Sequence, residues 1–158
     1  MNHYLIMASD LPALEGRPMK AQDVFNLMRD HSCWEFPESS QQAKLKEGDQ
    51  LFFYLGSKVK HIVAEATVAG LATPITMESP ITFDRNIFPY FVWRRPLRNF
   101  QVYEGAGADL DMMMNLSFAS KTTVTRPYIG LLLRVGMRTL TEEDAKMIRA
   151  HAAVSLAK

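Results

Sequence analysis

Lys46-Glu47-Gly48-Asp49-Gln50-Leu51-Phe52-Phe53-Tyr54-Leu55 is the stretch that decides how this chain folds. A polar turn launches an unbroken apolar and aromatic run, the composition of a central β-strand. Successive side chains of a strand point to opposite faces, so Phe52 or Phe53, at least one of them, must enter a core. Gly56-Ser57-Lys58 then supplies a turn. Beyond it Ile62, Ala64, Ala66 and Val68 alternate with Val63, Glu65, Thr67 and Ala69, which completes a hairpin.

Toward the amino end, Cys33-Trp34-Glu35-Phe36-Pro37 reads as a short strand carrying one large aromatic, placed against the first long strand of a small barrel. Before it, Val24, Phe25, Leu27 and Met28 fall at helical spacing between Lys20 and His31. Residues 3 to 8 read as a buried first strand, broken by Ser9-Asp10 and Pro12. Toward the carboxyl end, residues 71 to 86 hold prolines and threonines without periodicity and are expected to form a long loop. Ile87 to Trp93 resumes a strand that Arg94-Arg95-Pro96 is expected to end, and residues 97 to 103 read as a further short strand. Gly105 to Asp111 is a loop. Between Met112 and Val135 the pattern fits helix and strand equally. Thr141 then caps a last helix whose first turn carries Glu142, Glu143 and Asp144, and which sets Ala145, Ile148 and Ala152 on one face.

At 158 residues, 47% of them hydrophobic, the chain can bury one sizeable core, and a single domain over residues 1–158 is expected. Eighteen Lys and Arg against 17 Asp and Glu leave a formal charge of +1, so no bulk cationic field gathers long nucleic acid and any such site must be local. The single cysteine, Cys33, excludes an internal disulfide and fits a reducing compartment, with the cytoplasm as the expected location. No apolar run approaches membrane-spanning length, so no membrane partner is expected.

The chemistry inventory is thin. The sequence has no Gly-rich phosphate loop, no nucleophile elbow and no paired-His motif, and its four histidines are scattered, so no cofactor, metal or catalytic residue is assigned. The aromatics say more. Trp34, Tyr54, Phe83 and Phe88 supply the flat surfaces a base cage needs, each stack contributing about 1–3 kcal/mol. Core packing is the competing reading for each, and for Trp93 it is the better one. Lys58, Lys60, Arg94 and Lys121 are candidate phosphate contacts, read otherwise as solvated surface.

The order of these pieces resembles the EVE domain of the PUA-like superfamily, a relative of the YTH domains. The resemblance rests on Tyr4-Leu5-Ile6-Met7-Ala8-Ser9, the helix leading into Cys33-Trp34, Leu45 to Tyr54, Ile62 to Ala66, and Phe88-Pro89-Tyr90-Phe91-Val92-Trp93. Leu116-Ser117-Phe118, Tyr128-Ile129-Gly130 and Arg138 to Asp144 continue it, so that it spans nearly the whole chain. It implies an α+β fold: a twisted, mostly antiparallel β-barrel of about five to six strands with flanking helices. It also implies a non-catalytic module that binds DNA or RNA and inspects a flipped, modified base, methylated or hydroxymethylated cytosine or N6-methyladenine. Ser9 then borders the pocket and Trp34 is its cage aromatic, with Phe83 or Phe88 standing where YTH domains place a second Trp. EVE domains also serve as specificity modules of modification-dependent restriction systems, fused to a nuclease or nucleotidase effector. Two other readings stand beside this one: a protein-interaction module, and a nucleotide-modifying enzyme using Glu65 or Asp84 with a nearby lysine.

Overall fold

The computed structural model describes residues 1–11, 19–38, 41–56, 58–76, 91–120 and 136–154. Its spine is β3 (Gln50–Leu55), buried at all six positions. Strand β1 (His3–Ala8) lies parallel to β3, from His3 opposite Gln50 to Ala8 opposite Leu55, and β4 (His61–Val68) lies antiparallel on its other side. Parallel neighbours need a long crossover, and here helix α1 (Ala21–Asp30) and β2 (Cys33–Phe36) lie between them in the chain. Both faces of β3 are covered, which explains why its sequence is a continuous apolar run rather than an alternation. Leu51, Phe53 and Leu55 enter one core cluster with α1 and β2, while Phe52 and Tyr54 enter a second.

The turn before β3 is held by its own residues. Gly48 adopts φ 92°, a region glycine enters without steric cost, and its N–H donates to the Val68 carbonyl. The Asp49 carboxylate accepts from the backbone N–H of Lys46 at 2.8 Å and of Asn2 at 3.0 Å, pinning the chain's start to the turn. Across the hairpin, a register shift at Phe53/Tyr54 gives β4 one extra residue.

Strand β6 (Trp93–Val102) pairs with β4, β2 and the two-residue β5 (Thr73–Pro74), and β7 (Met137–Leu140) closes the other end against β1. The strand order is β2-β6-β4-β3-β1-β7, with β5 also on β6. This mixed sheet curls into a half-barrel, and four helices flank it among the described residues: α1, α2 (Leu110–Met113), α3 (Ser117–Ser120) and α4 (Glu142–Val154). The α+β barrel expectation therefore holds, with seven strands where about five to six were expected.

Three local expectations are corrected. Arg94-Arg95-Pro96 begins β6 rather than ending a strand. Pro96 sits where β6 changes partners, opposite Cys33 of β2 at residues 93 to 96 and opposite β4 from Leu97 onward, a position where a missing N–H interrupts no continuous ladder. Strand β2 hydrogen-bonds to β6, not to β3; it meets β3 through side chains, with the Trp34 and Phe53 ring centroids 4.7 Å apart. Thr73–Pro74 forms a short strand inside the stretch read as loop, while residues 77–90 and 121–135 lie outside the described residues.

The last helix follows its sequence closely. Thr141 Oγ1 accepts from the Asp144 N–H and Asp144 Oδ2 accepts from the Thr141 N–H, both at 3.0 Å, a reciprocal cap. Asp144 also accepts from the backbone and hydroxyl of Ser117, which ties α3 to α4. Ala145, Ile148 and Ala152 are buried as the spacing predicts, and Met112 and Met113 fill the same core. Among the described residues no helix is long and apolar enough to cross a membrane.

Candidate functional site

Where β1 ends, its last carbonyl, Ala8 O, accepts from the Gly56 N–H at 2.8 Å, so the β3–β4 hairpin tip is fastened beside the exit of the first strand. The next two residues, Ser9 and Asp10, are exposed. Asp10 reaches the start of α1 and accepts from the Ala21 N–H at 2.9 Å, supplying from eleven residues away the cap that Lys20, at the N-cap position, does not make. These three elements enclose a cavity of about 330 Å³ lined by Asp10, Lys20, Ala21, Gln22, Gly56, Lys58 and Val59. Lys60, exposed at the same tip, holds φ 56° and donates its N–H to the Leu55 carbonyl. The cavity thus has a small apolar floor, two lysines and one carboxylate at its wall, and a third lysine on the hairpin beside it.

Behind α1 lies an aromatic cluster. Phe25 of α1, Trp34 of β2, Phe53 of β3 and Phe100 of β6 form successive ring contacts at centroid distances of 4.7 to 6.4 Å. Trp34 is 5% exposed and belongs to this core in the present conformation. Tyr54 is also buried, but on the opposite face, where burial raises its hydroxyl's pKa. The structure therefore brings Ser9, Lys58 and Lys60 to one end of the sheet and places Trp34 and Tyr54 on different faces of it. Phe83, Phe88 and Lys121 lie outside the described residues.

Arg94, the remaining candidate phosphate contact, meets Glu35. Its Nε and Nη2 donate to Glu35 Oε2 at 3.2 and 2.8 Å, and its side chain is 19% exposed. Burial pushes the Glu35 carboxyl up to about 7, against the opposing pull of Arg94. Burial likewise pushes the neighbouring Cys33 thiol up to about 12, so it is a neutral thiol, the small buried hydrophobe its sequence context suggests. Arg95, next in the strand, is buried too and binds neutral acceptors: the Gln42 side chain and carbonyl and the Gly70 carbonyl.

Glu65 faces the second core. Its Oε2 accepts from the Tyr103 hydroxyl and from Arg149 Nε, each at 2.9 Å, so its partners are a phenol and a guanidinium rather than a lysine. Among the described residues no group of three or more metal-ligating side chains converges. Sequence reasoning missed Asp10, Lys20 and Gln22 as cavity walls. The one signal for them was Asp10 itself, an N-capping residue type with no helix immediately after it.

No protein-family model and no curated protein matches the chain. Solved structures do. Human THYN1, solved in complex with DNA containing 5-methylcytosine, superposes with a TM-score of 0.52 at 16% identity, over 96% of this chain and 98% of that one. The chain shares the fold of that structure, as the resemblance read from its sequence implies. The N-terminal domain of McrB from Staphylothermus marinus shares it at TM-score 0.56 and 9% identity, over 94% of this chain and 93% of that one. So does the Mmi1 YTH domain, solved with RNA, at TM-score 0.56 and 8% identity, over 99% of this chain and 80% of that one.

Proposed function

We propose that this chain is a non-catalytic nucleic-acid reader that takes a flipped, modified base at the β1 end of its sheet. The observation that carries the reading is the lysine-walled cavity of about 330 Å³ between Asp10, the start of α1 and the hairpin tip. The likeness to folds solved with methylated DNA and with RNA supports it. In this reading Ser9 borders the base, Lys58 and Lys60 meet flanking phosphates, and Lys20 adds a third donor. A net charge of +1 suits a site that holds a few phosphates rather than a long duplex. Asp10 offers an acceptor to an exocyclic amine, the group that cytosine and adenine both carry.

Trp34 forms the base-side wall of this pocket only if it leaves its contacts with Phe25 and Phe53. In the conformation described it is instead the floor on which α1 rests. Phe83, Phe88 and Lys121 complete the proposed cage and phosphate contacts from segments outside the described residues, and Arg94 holds Glu35. A module of this kind, joined to a nuclease or nucleotidase effector, would act as the specificity element of a modification-dependent restriction system.

The test is equilibrium binding to matched DNA and RNA oligonucleotides carrying cytosine, 5-methylcytosine, 5-hydroxymethylcytosine, adenine or N6-methyladenine, at two salt concentrations. One modified base is expected to bind at least tenfold more tightly than its parent, with a shallow salt slope. Equal binding to all of them, or none to any, overturns the proposal.

A further inference from the structure

On the face of the sheet opposite the lysine-walled cavity, a second cavity of about 420 Å³ opens between β4, the end of β6 and α4, lined by Glu65, Gln101, Val102, Tyr103, Glu104, Arg149, Ala152 and Ala153. Its volume lies within the range of roughly 300–1,000 Å³ found for small-molecule sites. At its wall is Glu65, nine-tenths buried. One oxygen of that carboxylate, Oε2, takes both the Tyr103 hydroxyl and Arg149 Nε. The other, Oε1, takes no donor from the described residues. That oxygen keeps its acceptor capacity free at the cavity wall, held in place by the two donors on Oε2, so a ligand N–H entering the cavity meets an acceptor already oriented.

Arg149 adds the complementary group. Its Nε is committed to Glu65 and its guanidinium carbon lies 5.3 Å from the Phe52 ring centroid, which fixes the fork in place. Its two terminal nitrogens make no bond to the described residues, and the side chain is 44% exposed. An acceptor and a fixed donor fork therefore stand side by side, a pair that matches a ligand presenting an N–H next to a carbonyl. Charge narrows the class further. Two carboxylates, Glu65 and Glu104, face one guanidinium and no lysine in the lining, which disfavours a phosphorylated ligand.

We propose that this cavity binds an uncharged, nucleoside-sized molecule whose N–H and adjacent carbonyl pair with Glu65 Oε1 and the Arg149 fork. The site is separate from the base-reading end and does not depend on it.

Uridine is the probe, because its N3–H lies between two carbonyls. Titration of the full chain, followed by amide and side-chain NMR shifts, is expected to perturb Glu65, Gln101 to Glu104, Arg149 and Ala152 in a saturable way. 3-Methyluridine, which lacks the N–H, and uridine 5′-monophosphate, which carries a phosphate, are expected to bind at least tenfold more weakly. Ala153→Trp fills the cavity from an exposed position without touching the core, and it is expected to abolish the uridine response while leaving the unfolding midpoint within a degree or two. Absence of a uridine response at these residues, an equal response to 3-methyluridine, or a response that survives Ala153→Trp each overturns the proposal and leaves Glu65, Tyr103 and Arg149 as a structural tie alone.

Discussion

The two faces of the sheet treat their charged groups differently. On the α1 face, Glu35 and Arg94 are closed on each other, while Lys20, Lys58 and Lys60 stand clear of them around a cavity at the strand ends. On the α4 face, Glu65, Tyr103 and Arg149 form a connected set beside a cavity with a net negative lining. A polyanion gains most where cations lack strong internal partners, and least where a carboxylate already faces the solvent opening. In the proposed reading this difference favours nucleic acid at the β1 end of the α1 face and uncharged chemistry on the α4 face.

Trp34→Ala puts the largest strain on this contrast between the faces. If Trp34 is the floor under α1, its removal leaves a large void among Phe25, Phe53 and Phe100 and costs about 3–5 kcal/mol of stability, read by denaturant unfolding. A variant that folds with undiminished stability yet loses base selectivity would show instead that Trp34 works as a mobile cage wall.

Next in size is the pH dependence of Glu35. Its carboxyl ionises at 4.5 as an ordinary glutamate and at about 7 in the fold. Below 4.5 both states hold the proton and the full stabilising contribution is present. Between 4.5 and 7 the unfolded chain sheds its proton first, so stability falls as pH rises, by about 3 kcal/mol once the folded value is passed. Unfolding midpoints measured from pH 4 to 8 should show this decline, and Glu35→Gln should flatten it. A decline that persists unchanged in Glu35→Gln would mean that another group carries it.

A smaller effect concerns the α4 face. Thr141→Ala removes the acceptor for the Asp144 N–H and is expected to cost about 1 kcal/mol, seen as a lower midpoint of thermal unfolding, with nucleic-acid binding unchanged. Smallest in stability is Lys58→Glu with Lys60→Glu. This pair should leave unfolding within about 0.5 kcal/mol of the parent. It should weaken oligonucleotide binding and reduce the salt slope by about one for each phosphate that no longer meets a lysine.

Much of the frame was legible in the chain. The Leu51–Leu55 run, the alternation after Ile62, the helical spacing around Phe25 and the Thr141–Asp144 cap are local signals, and each names its element without help from distant residues. Pairing beyond the β3–β4 hairpin was not legible. That β2 joins β6, and that Pro96 sits where one long strand changes partners, depends on contacts across some sixty residues. The site was legible only at its edges. Ser9 and Lys58 flank turns that the pattern marks, whereas Asp10 caps a helix eleven residues on, and Glu65 meets Arg149 from 84 residues away. No periodicity records such pairs, because they follow from how the sheet curls.

Whether nucleic acid docks on the α1 face is decided by an NMR shift map of the full chain with the tightest-binding modified oligonucleotide. Perturbations are expected to centre on Ser9, Asp10, Lys20 to Gln22 and Gly56 to Lys60, and to vanish in the Lys58→Glu and Lys60→Glu pair. Perturbations absent from that end of the sheet, or unchanged in the paired variant, would contradict nucleic-acid reading at this face.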